Sequence, residues 1–238
     1  MKQATLAQLN VERLARRPVV VITNIATGEQ RLVKAADIEK DPLRAELDKH
    51  LRMGRSELIQ VGDDNLFLNI YAPTARLIIV GAVHISQTLA PLAQSLGYDV
   101  CIVDPRTAFA SPERFPDVRV IADWPETVLP PMNVDRYTAV AALTHDPKID
   151  DFALLHALGR DCFYIGALGS RKTHGKRLDR LKAAGESDNS LSRIRSPIGM
   201  DIGAVSPPEI AVSVMAQITA ALRLPTSSIN APRVSVPA

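Results

Sequence analysis

The sequence predicts an α/β protein in which a parallel sheet carries helices on both faces, preceded by a small α+β segment. From residue 76 onward, short apolar runs typical of strands alternate with amphipathic helical patterns. The first of these runs opens a strand–turn–helix–strand unit over residues 76–104, as in dinucleotide-binding folds. Residues 1–72 lack this alternation, and Pro73 marks the boundary. We therefore expect a small α+β segment at 1–72, a Rossmann-like domain at 73–224 and a flexible tail, rich in Ser, Pro and Thr, at 225–238.

The elements follow from hydrophobic spacing and from helix and turn signals. In the N-terminal segment we predict a helix, a hairpin, a second helix and two strands, at residues 1–17, 18–34, 41–53, 57–61 and 66–71. In the Rossmann-like domain the predicted strands are 77–80, 99–103, 119–121, 138–143 and 163–167, and the helices are 86–96, 149–158 and 172–184. A last helix begins after Ser206, because Pro207 and Glu209 complete a capping-box pattern.

Composition excludes several classes of function. An apolar content of 46% and a charged content of 23% are those of a globular protein, and a net charge of +2 argues against nucleic-acid binding. No apolar run approaches the roughly 18–20 residues of a membrane span, and the N-terminus lacks the pattern of a secretory signal. Cys101 and Cys162 lie in apolar runs without metal-ligand spacing, so we expect buried, reduced thiols in a cytoplasmic protein.

The first βα turn departs from the usual dinucleotide fingerprint. Gly81 follows the first strand, but Val83 and Ser86 occupy the places of the other two glycines. Asp104 ends the second strand, close to the usual distance for an acidic residue that binds ribose hydroxyls. The sequence therefore predicts the scaffold of a nucleotide binder whose ligand need not be an ordinary dinucleotide.

Ligands of open α/β sheets bind beyond the carboxyl ends of the strands, and two segments there carry candidate residues next to the first strands. One is the turn itself, in which His84 begins the helix and either donates to a ligand oxygen or is a surface or capping histidine; its members are Gly81, Ala82, Val83 and His84. The other holds Asp104 and Arg106, which fit ribose and phosphate contacts or, alternatively, an ion pair that closes the strand end.

Two further segments follow later strands. Residues 144–151 are dense in ionisable groups; we expect Thr144 and His145 to face a ligand, and we interpret Asp150 and Asp151 as partners of the next helix N-terminus. Residues 165–174 form a strand, a turn and a helix start that indicate an anion site, because cations at a helix N-terminus are otherwise disfavoured. Its candidate residues are Gly166, Gly169, Ser170 and Arg171. Lys176, Arg177, Arg180 and Lys182 are predicted to form the solvated face of that helix.

Five stretches together resemble the xanthine dehydrogenase accessory protein family (XdhC/CoxI) over about residues 73–223. They are GAVHI at 81–85, VDPR at 103–106, LTHD at 143–146, IGALGSRKTH at 165–174 and PIGMDIGAVSPPEIAVS at 197–213. The Gly-Gly-Cys-rich segment usual in the N-terminal part of the family has no counterpart in residues 1–72, so the chain resembles a short form.

The resemblance implies an accessory factor that binds molybdenum cofactor and assists its sulfuration and its insertion into a molybdenum hydroxylase of the xanthine or CO dehydrogenase type. The ligand would be molybdopterin or its cytosine dinucleotide form, held by the candidate residues of the four segments, with Arg171 and His145 among the polar contacts. The implied partners are the hydroxylase apoenzyme, a cysteine desulfurase and a second copy of the chain, without nucleic acid or membrane.

Two other functions stay open at this point. An NAD(P)-dependent oxidoreductase is favoured by the strand–turn–helix unit and by Asp104, and saturable NAD(P)H binding with turnover would identify it. An interaction scaffold with a vestigial site would bind neither nucleotide nor pterin. The sequence has no Ser–His–acid arrangement with a nucleophile elbow, no HExxH and no metal-ligand cluster, so we predict neither catalytic residues nor metal ligands.

Overall fold

The computed structural model describes residues 2–224, and the predicted flexible tail at 225–238 lies outside the described residues. The chain divides between Pro73 and Thr74 into two compact units. In residues 2–224 no helix is both long enough and apolar enough to cross a membrane. Cys101 and Cys162 are buried free thiols, as predicted.

The first unit is a four-stranded antiparallel sheet with helices. Its elements are α1 (Gln3–Leu14), β1 (Val19–Asn24), β2 (Gln30–Lys34), a 3-10 helix (Ala35–Lys40), α2 (Arg44–Met53), β3 (Glu57–Val61) and β4 (Asp64–Tyr71). The strand order is β2-β1-β4-β3, and the predicted β1–β2 hairpin is confirmed. The core of the unit lies against one face of β1 and β4, where Val20, Ile22, Leu47 and Leu68 are buried.

The second unit is a six-stranded parallel sheet with helices. Its elements are β5 (Arg76–Val80), α3 (His84–Ser95), β6 (Asp99–Val103), β7 (Arg119–Ile121), α4 (Pro125–Val128), β8 (Thr138–Ala142), α5 (Pro147–Leu158), β9 (Tyr164–Ala167), α6 (Arg171–Ala183), α7 (Asp188–Leu191), β10 (Ile194–Arg195) and α8 (Pro207–Arg223). The strand order is β7-β6-β5-β8-β9-β10, with every neighbouring pair parallel. Numbered along this unit, that order is 3-2-1-4-5-6, the order of dinucleotide-binding folds.

Side chains of β5 alternate between two hydrophobic cores, one on each face of the sheet. Leu77 and Ile79 belong to the core that α3 and α8 cover, whereas Ile78 and Val80 belong to the core beneath α5. All four are at most 1% exposed, which explains why this strand reads as a continuous apolar run. The predicted fold class is therefore confirmed.

Helix boundaries follow the predicted signals with small shifts. The capping box before α8 is present, because Ser206 accepts from the Glu209 amide while the Glu209 carboxylate accepts from the Ser206 amide. Helix α3 begins at His84, two positions earlier than its apolar spacing predicts. The sixth strand, β10, was not predicted because its two residues are too short for any periodicity.

Candidate functional site

The winding of the sheet reverses between β5 and β8, and the loops that follow these two strands touch. Gly81 has a φ of +119°, and a Cβ atom there would lie 2.8 Å from the Thr144 Cγ2 atom. The Leu143 amide donates to the Val80 carbonyl over 2.8 Å, which extends the strand pairing up to this contact. The glycine is therefore needed so that Thr144 can approach the first turn.

Most of the backbone of the first turn is bound within the protein. The Ala82 amide donates to Asp104 Oδ2 over 2.7 Å, and Arg114 Nη1 donates to the Ala82 carbonyl over 2.7 Å. Ser86, which stands in the place of a fingerprint glycine, is buried and donates from its hydroxyl to the Gly81 carbonyl over 2.6 Å. Of the predicted contact turn, Val83 and His84 lie at the N-terminus of α3, where the N-cap residue makes no side-chain capping bond.

Asp104 is held by donors from its own chain. Its carboxylate is fully buried and accepts from the Arg106 side chain over 2.9 and 2.7 Å and from the Arg106 amide over 3.0 Å, besides the Ala82 amide. Burial raises the pKa of this carboxyl, but the hydrogen bonds and charge of Arg106 outweigh it, so the net pKa is lowered. This is the ion pair that the alternative interpretation of the segment predicts.

The loop after β8 holds a capped helix start and an unusual backbone conformation. His145 is exposed and has a φ of +63°. Asp146 is the N-cap of α5, accepting from the Lys148 amide over 3.0 Å, with Pro147 at the first helical position. The prediction that Asp150 or Asp151 serves the helix N-terminus was therefore wrong, because the helix begins two residues earlier than its apolar spacing suggests.

Asp150 instead lies in the interior. Its carboxylate is 1% exposed and accepts from the Thr144 hydroxyl over 2.7 Å through Oδ1. Its other oxygen, Oδ2, has no hydrogen-bond partner within the described residues and lies 3.8 Å from Arg177 Nη2. Burial raises the pKa of Asp150, outweighing the opposite effects of Thr144 and Arg177.

Arg177 corrects the prediction of a wholly solvated face on α6. It is 2% exposed, because α6 turns this position toward α5 and the turn before α6. Arg177 Nη2 donates to the Leu168 carbonyl over 2.9 Å, whereas Nε and Nη1 have no hydrogen-bond partner in the described part of the chain. Burial lowers the pKa of the guanidinium, which stays protonated at physiological pH. A helical charge pattern alone does not distinguish this arginine from its neighbours.

A cavity of about 300 Å³ opens between α5 and α6 at this edge of the sheet. His145 and Thr173 line it, and its charged lining consists of Asp150, Asp151, Lys172, Lys176, Arg177 and Arg180. Arg180 and Asp151 neutralise each other through two hydrogen bonds of 2.6 and 2.9 Å. Four cations against two carboxylates give the cavity a net charge of +2, which favours an anionic occupant.

The predicted residues at the start of α6 have other positions. Ser170 is the N-cap, accepting from the Thr173 amide over 3.2 Å, and Arg171 is exposed and does not line the cavity. Gly169 has a φ of +135°, and a Cβ atom there would lie 3.2 Å from the Thr173 methyl group. Gly166 makes room for Tyr164 and Ile198 in the core. The structure thus moves the anion-site signal from Arg171 to Lys172, Lys176 and Arg177.

A larger cavity, about 540 Å³, lies at the opposite edge of the sheet, beside Cys162 and Phe163 just before β9. Volume alone would favour it. In open α/β folds, however, ligands bind at the carboxyl edge near the reversal of winding, where the smaller cavity lies. Position and buried charge therefore identify the smaller cavity as the candidate site.

We expect Asp150→Asn to gain stability relative to the wild type as pH rises from about 4 to 7. Folding raises the pKa of Asp150 above its unfolded value of about 3.9, so its stabilising effect is full below that value and is lost as pH rises through the folded pKa. Asparagine escapes this loss and keeps the Oδ1 acceptor for Thr144.

Denaturant unfolding of both proteins at several pH values measures the difference in free energy. His145, Arg106, Arg177 and Arg180 act on Asp150 from the surrounding elements and are left unchanged. A difference between variant and wild type that stays constant, or that moves against the variant as pH rises, contradicts the expected direction.

Comparison with known proteins places this arrangement in a family. A model of the XdhC Rossmann domain matches residues 77–218, which include both loops of the crevice and the α5–α6 cavity. The chain belongs to the XdhC family. The resemblance predicted from the five sequence stretches is thereby confirmed.

Three relatives of this XdhC-family chain have names of their own. It is 30% identical over 186 residues to the uncharacterized protein YqeB of Escherichia coli, covering 71% of this chain and 32% of YqeB. It is 33% identical over 155 residues to a protein of Bacillus subtilis named as a probable xanthine dehydrogenase subunit, covering 65% and 45%. It is 34% identical over 154 residues to the molybdenum cofactor insertion chaperone PaoD of E. coli, covering 65% and 42%. The matched segments span less than half the length of these relatives.

A crystal structure from Bacillus halodurans, described as that of a xanthine dehydrogenase, has a similar fold. The TM-score is 0.64 at 24% identity, with 98% of the XdhC-family chain and 66% of the other chain covered. At this identity the likeness concerns the fold. The architecture described above is thus found in an experimentally determined structure.

Proposed function

We propose that this XdhC-family protein binds molybdenum cofactor at the carboxyl edge of its Rossmann sheet and delivers it to a molybdenum hydroxylase apoenzyme. The family match and the name of the PaoD relative support a role in maturation. The observation that carries the proposal is the cavity of net charge +2 beside the reversal of winding, inside the family-matched region. A phosphorylated, polyanionic ligand has the charge that such a site favours.

The residues present fit an anionic ligand of this kind. Arg177 is buried with two guanidinium nitrogens lacking acceptors, and Lys172 and Lys176 line the same cavity. A volume of about 300 Å³ is at the lower end of small-molecule sites, so the cavity suits the phosphate end of the ligand. The remainder would lie in the open crevice, toward Thr144 and the N-terminus of α3.

We assign the predicted site residues to two groups. Val83, His84, Arg106, Thr144 and His145 face or border the crevice and would orient the ligand, with Arg171 as an outer cation. Five others position the loops that carry these side chains: Gly81, Ala82, Asp104, Gly166 and Gly169. Ser170 supports the start of α6 by capping it. Molybdenum cofactor supplies the metal centre used by the client enzyme, and this chain would bind it and shield it from water.

The finer parts of the proposal concern partners and location. A cysteine desulfurase would supply the sulfur for cofactor sulfuration, since both cysteines of this chain are buried and burial raises the pKa of Cys101 to about 11. We further propose a homodimer in the cytoplasm. Gel filtration with light scattering tests the dimer directly.

The function is tested by purifying the protein anaerobically from cells that make molybdenum cofactor. The expected result is near-stoichiometric released pterin and molybdenum, and activation of a cofactor-free hydroxylase by the loaded protein. His145→Ala and Arg171→Ala are expected to retain less pterin than the wild type. Protein that carries no pterin and does not activate the apoenzyme would overturn the proposal.

An NAD(P)-dependent oxidoreductase is the second candidate, favoured by the 3-2-1-4-5-6 strand order. Against it, the Asp104 carboxylate already accepts from Arg106 and Ala82, and Val83 and Ser86 stand where fingerprint glycines let a pyrophosphate approach. Titration with NADH and NADPH separates the two functions. Saturable binding with turnover would move the protein into the oxidoreductase class.

A further inference from the structure

We propose that Arg177, Lys172 and Lys176 form a subsite for a phosphate group in the α5–α6 cavity, and that Asp150 holds the Arg177 guanidinium in place until the phosphate arrives. The proposal rests on the proposed function only for the identity of the whole ligand. The subsite itself follows from the side chains of the cavity. It also makes Arg177, rather than Arg171, the central anion-binding group of this edge.

The first argument is the incomplete hydrogen bonding of Arg177. A buried guanidinium with unused N–H groups is costly unless an acceptor reaches it. Arg177 is 2% exposed, and only Nη2 has an acceptor, the Leu168 carbonyl at 2.9 Å. Nε and Nη1 form the edge that takes planar, two-point contacts with phosphate or carboxylate oxygens. The arginine is thus fixed by one bond and has donors left for a ligand.

The second argument is that Asp150 does not satisfy these donors. Its Oδ2 atom lies 3.8 Å from Arg177 Nη2, beyond hydrogen-bond distance, and has no partner among the described residues. Thr144 fixes the other oxygen, Oδ1, at 2.7 Å. A buried cation and a buried carboxylate that face each other without bonding leave the guanidinium charge in place but its N–H groups available. The pair therefore holds Arg177 ready for an anion.

The third argument concerns charge and reach. With Arg180 bonded to Asp151, the remaining cations of the cavity are Lys172, Lys176 and Arg177, against the single carboxylate of Asp150. This excess of two positive charges matches a phosphate group, which carries close to two negative charges at neutral pH. Both lysines are exposed and can turn toward a ligand at the mouth, while Arg177 binds from below.

Calorimetric titration of the full chain with inorganic phosphate and with pyrophosphate tests the subsite without any pterin. The variants are Lys172→Gln and Lys176→Gln, with Lys182→Gln as the matched control on the same helix. Lys182 is also exposed, pairs with Asp188 at 2.5 Å and does not line the cavity, so its loss changes the net charge equally. We expect each cavity variant to weaken binding about three- to tenfold and the control to change it less than twofold.

Asp150→Asn gives a second, opposite readout. Removing the negative charge that faces Arg177 is expected to strengthen phosphate binding about threefold or more, whereas a purely structural role of the pair would leave binding unchanged or weaken it. Tighter binding of pyrophosphate than of phosphate would indicate a diphosphate ester, as in a dinucleotide form, and the reverse order a phosphate monoester. Either order supports a phosphate subsite.

Two outcomes overturn the proposal. One is the absence of saturable binding of both probes in the range of about 1 mM or below. The other is equal weakening by Lys176→Gln and Lys182→Gln, which would reduce the effect to the general charge of α6. Because the probes contain neither pterin nor molybdenum, either outcome leaves cofactor transfer to the apoenzyme to be judged by its own assay, and failure of that transfer leaves the subsite standing.

Discussion

Asp104→Asn is expected to lower the free energy of unfolding by about 2–4 kcal/mol at neutral pH. The substitution removes the negative charge that binds Arg106 at 2.9 and 2.7 Å and the Ala82 amide at 2.7 Å, in a fully buried position. An amide nitrogen would face one of these donors, so at least one buried hydrogen bond is lost as well. Denaturant unfolding of the variant and the wild type measures the effect.

The pH dependence of this loss has the opposite sign to that of Asp150→Asn. Folding lowers the pKa of Asp104, so its stabilisation is present above the unfolded value of about 3.9 and is lost as pH falls through the folded pKa. The difference between variant and wild type should therefore shrink in acid. Asp99→Asn is the control, since Asp99 begins the same strand with a 66% exposed side chain and should cost less than about 1 kcal/mol. Equal losses in the two variants would contradict the structural role of Asp104.

Gly81→Ala is expected to cost about 2–5 kcal/mol, because steric overlap adds to backbone strain. The added Cβ would lie 2.8 Å from the Thr144 methyl group and 3.3 Å from the Thr144 amide, at a φ of +119°. The contact joins the loops after β5 and β8, so the variant should also widen the crevice. Thermal and denaturant unfolding of the variant measure the loss.

The two contributions can be separated by variants that the chain offers. Thr144→Ser removes the nearest methyl group, so the double variant should recover part of the loss, a non-additivity that neither strain nor a distant effect would produce. Gly97→Ala supplies the strain alone, since Gly97 has a φ of +82° and nothing lies within 4 Å of the added Cβ. A Gly97→Ala loss as large as that of Gly81→Ala, or strict additivity in the double variant, would contradict the close contact.

The fold was predictable because its signals are local. Alternating apolar runs gave five of the six parallel strands, and the Ser206–Glu209 capping box marked α8. Strand β10 escaped because two residues carry no period, and its pairing with β9 depends on where the chain returns after α7. Helix starts at His84 and Pro147 came earlier than predicted because apolar spacing reports burial rather than the first helical residue.

The candidate site was predicted less well because its chemistry depends on packing between distant segments. The sequence pointed to the carboxyl edge and to an anion near residue 170, but Arg177 looked like its solvated neighbours on α6. Only the packing of α6 beside α5 shows that it is buried opposite Asp150. The Asp104–Arg106 pair was foreseen as an alternative because its partners are two residues apart, within reach of local reasoning.

Both polar groups of the Ala82 peptide are held by side chains from the segment between β6 and β7. Asp104 accepts from its amide and Arg114 donates to its carbonyl, while Arg114 also donates to the Phe109 carbonyl over 2.8 Å. A turn fixed from two sides has little freedom to reshape around a guest. Recognition at this end of the crevice should therefore work as a rigid template that selects ligands by shape, leaving induced fit to the exposed lysines of α6.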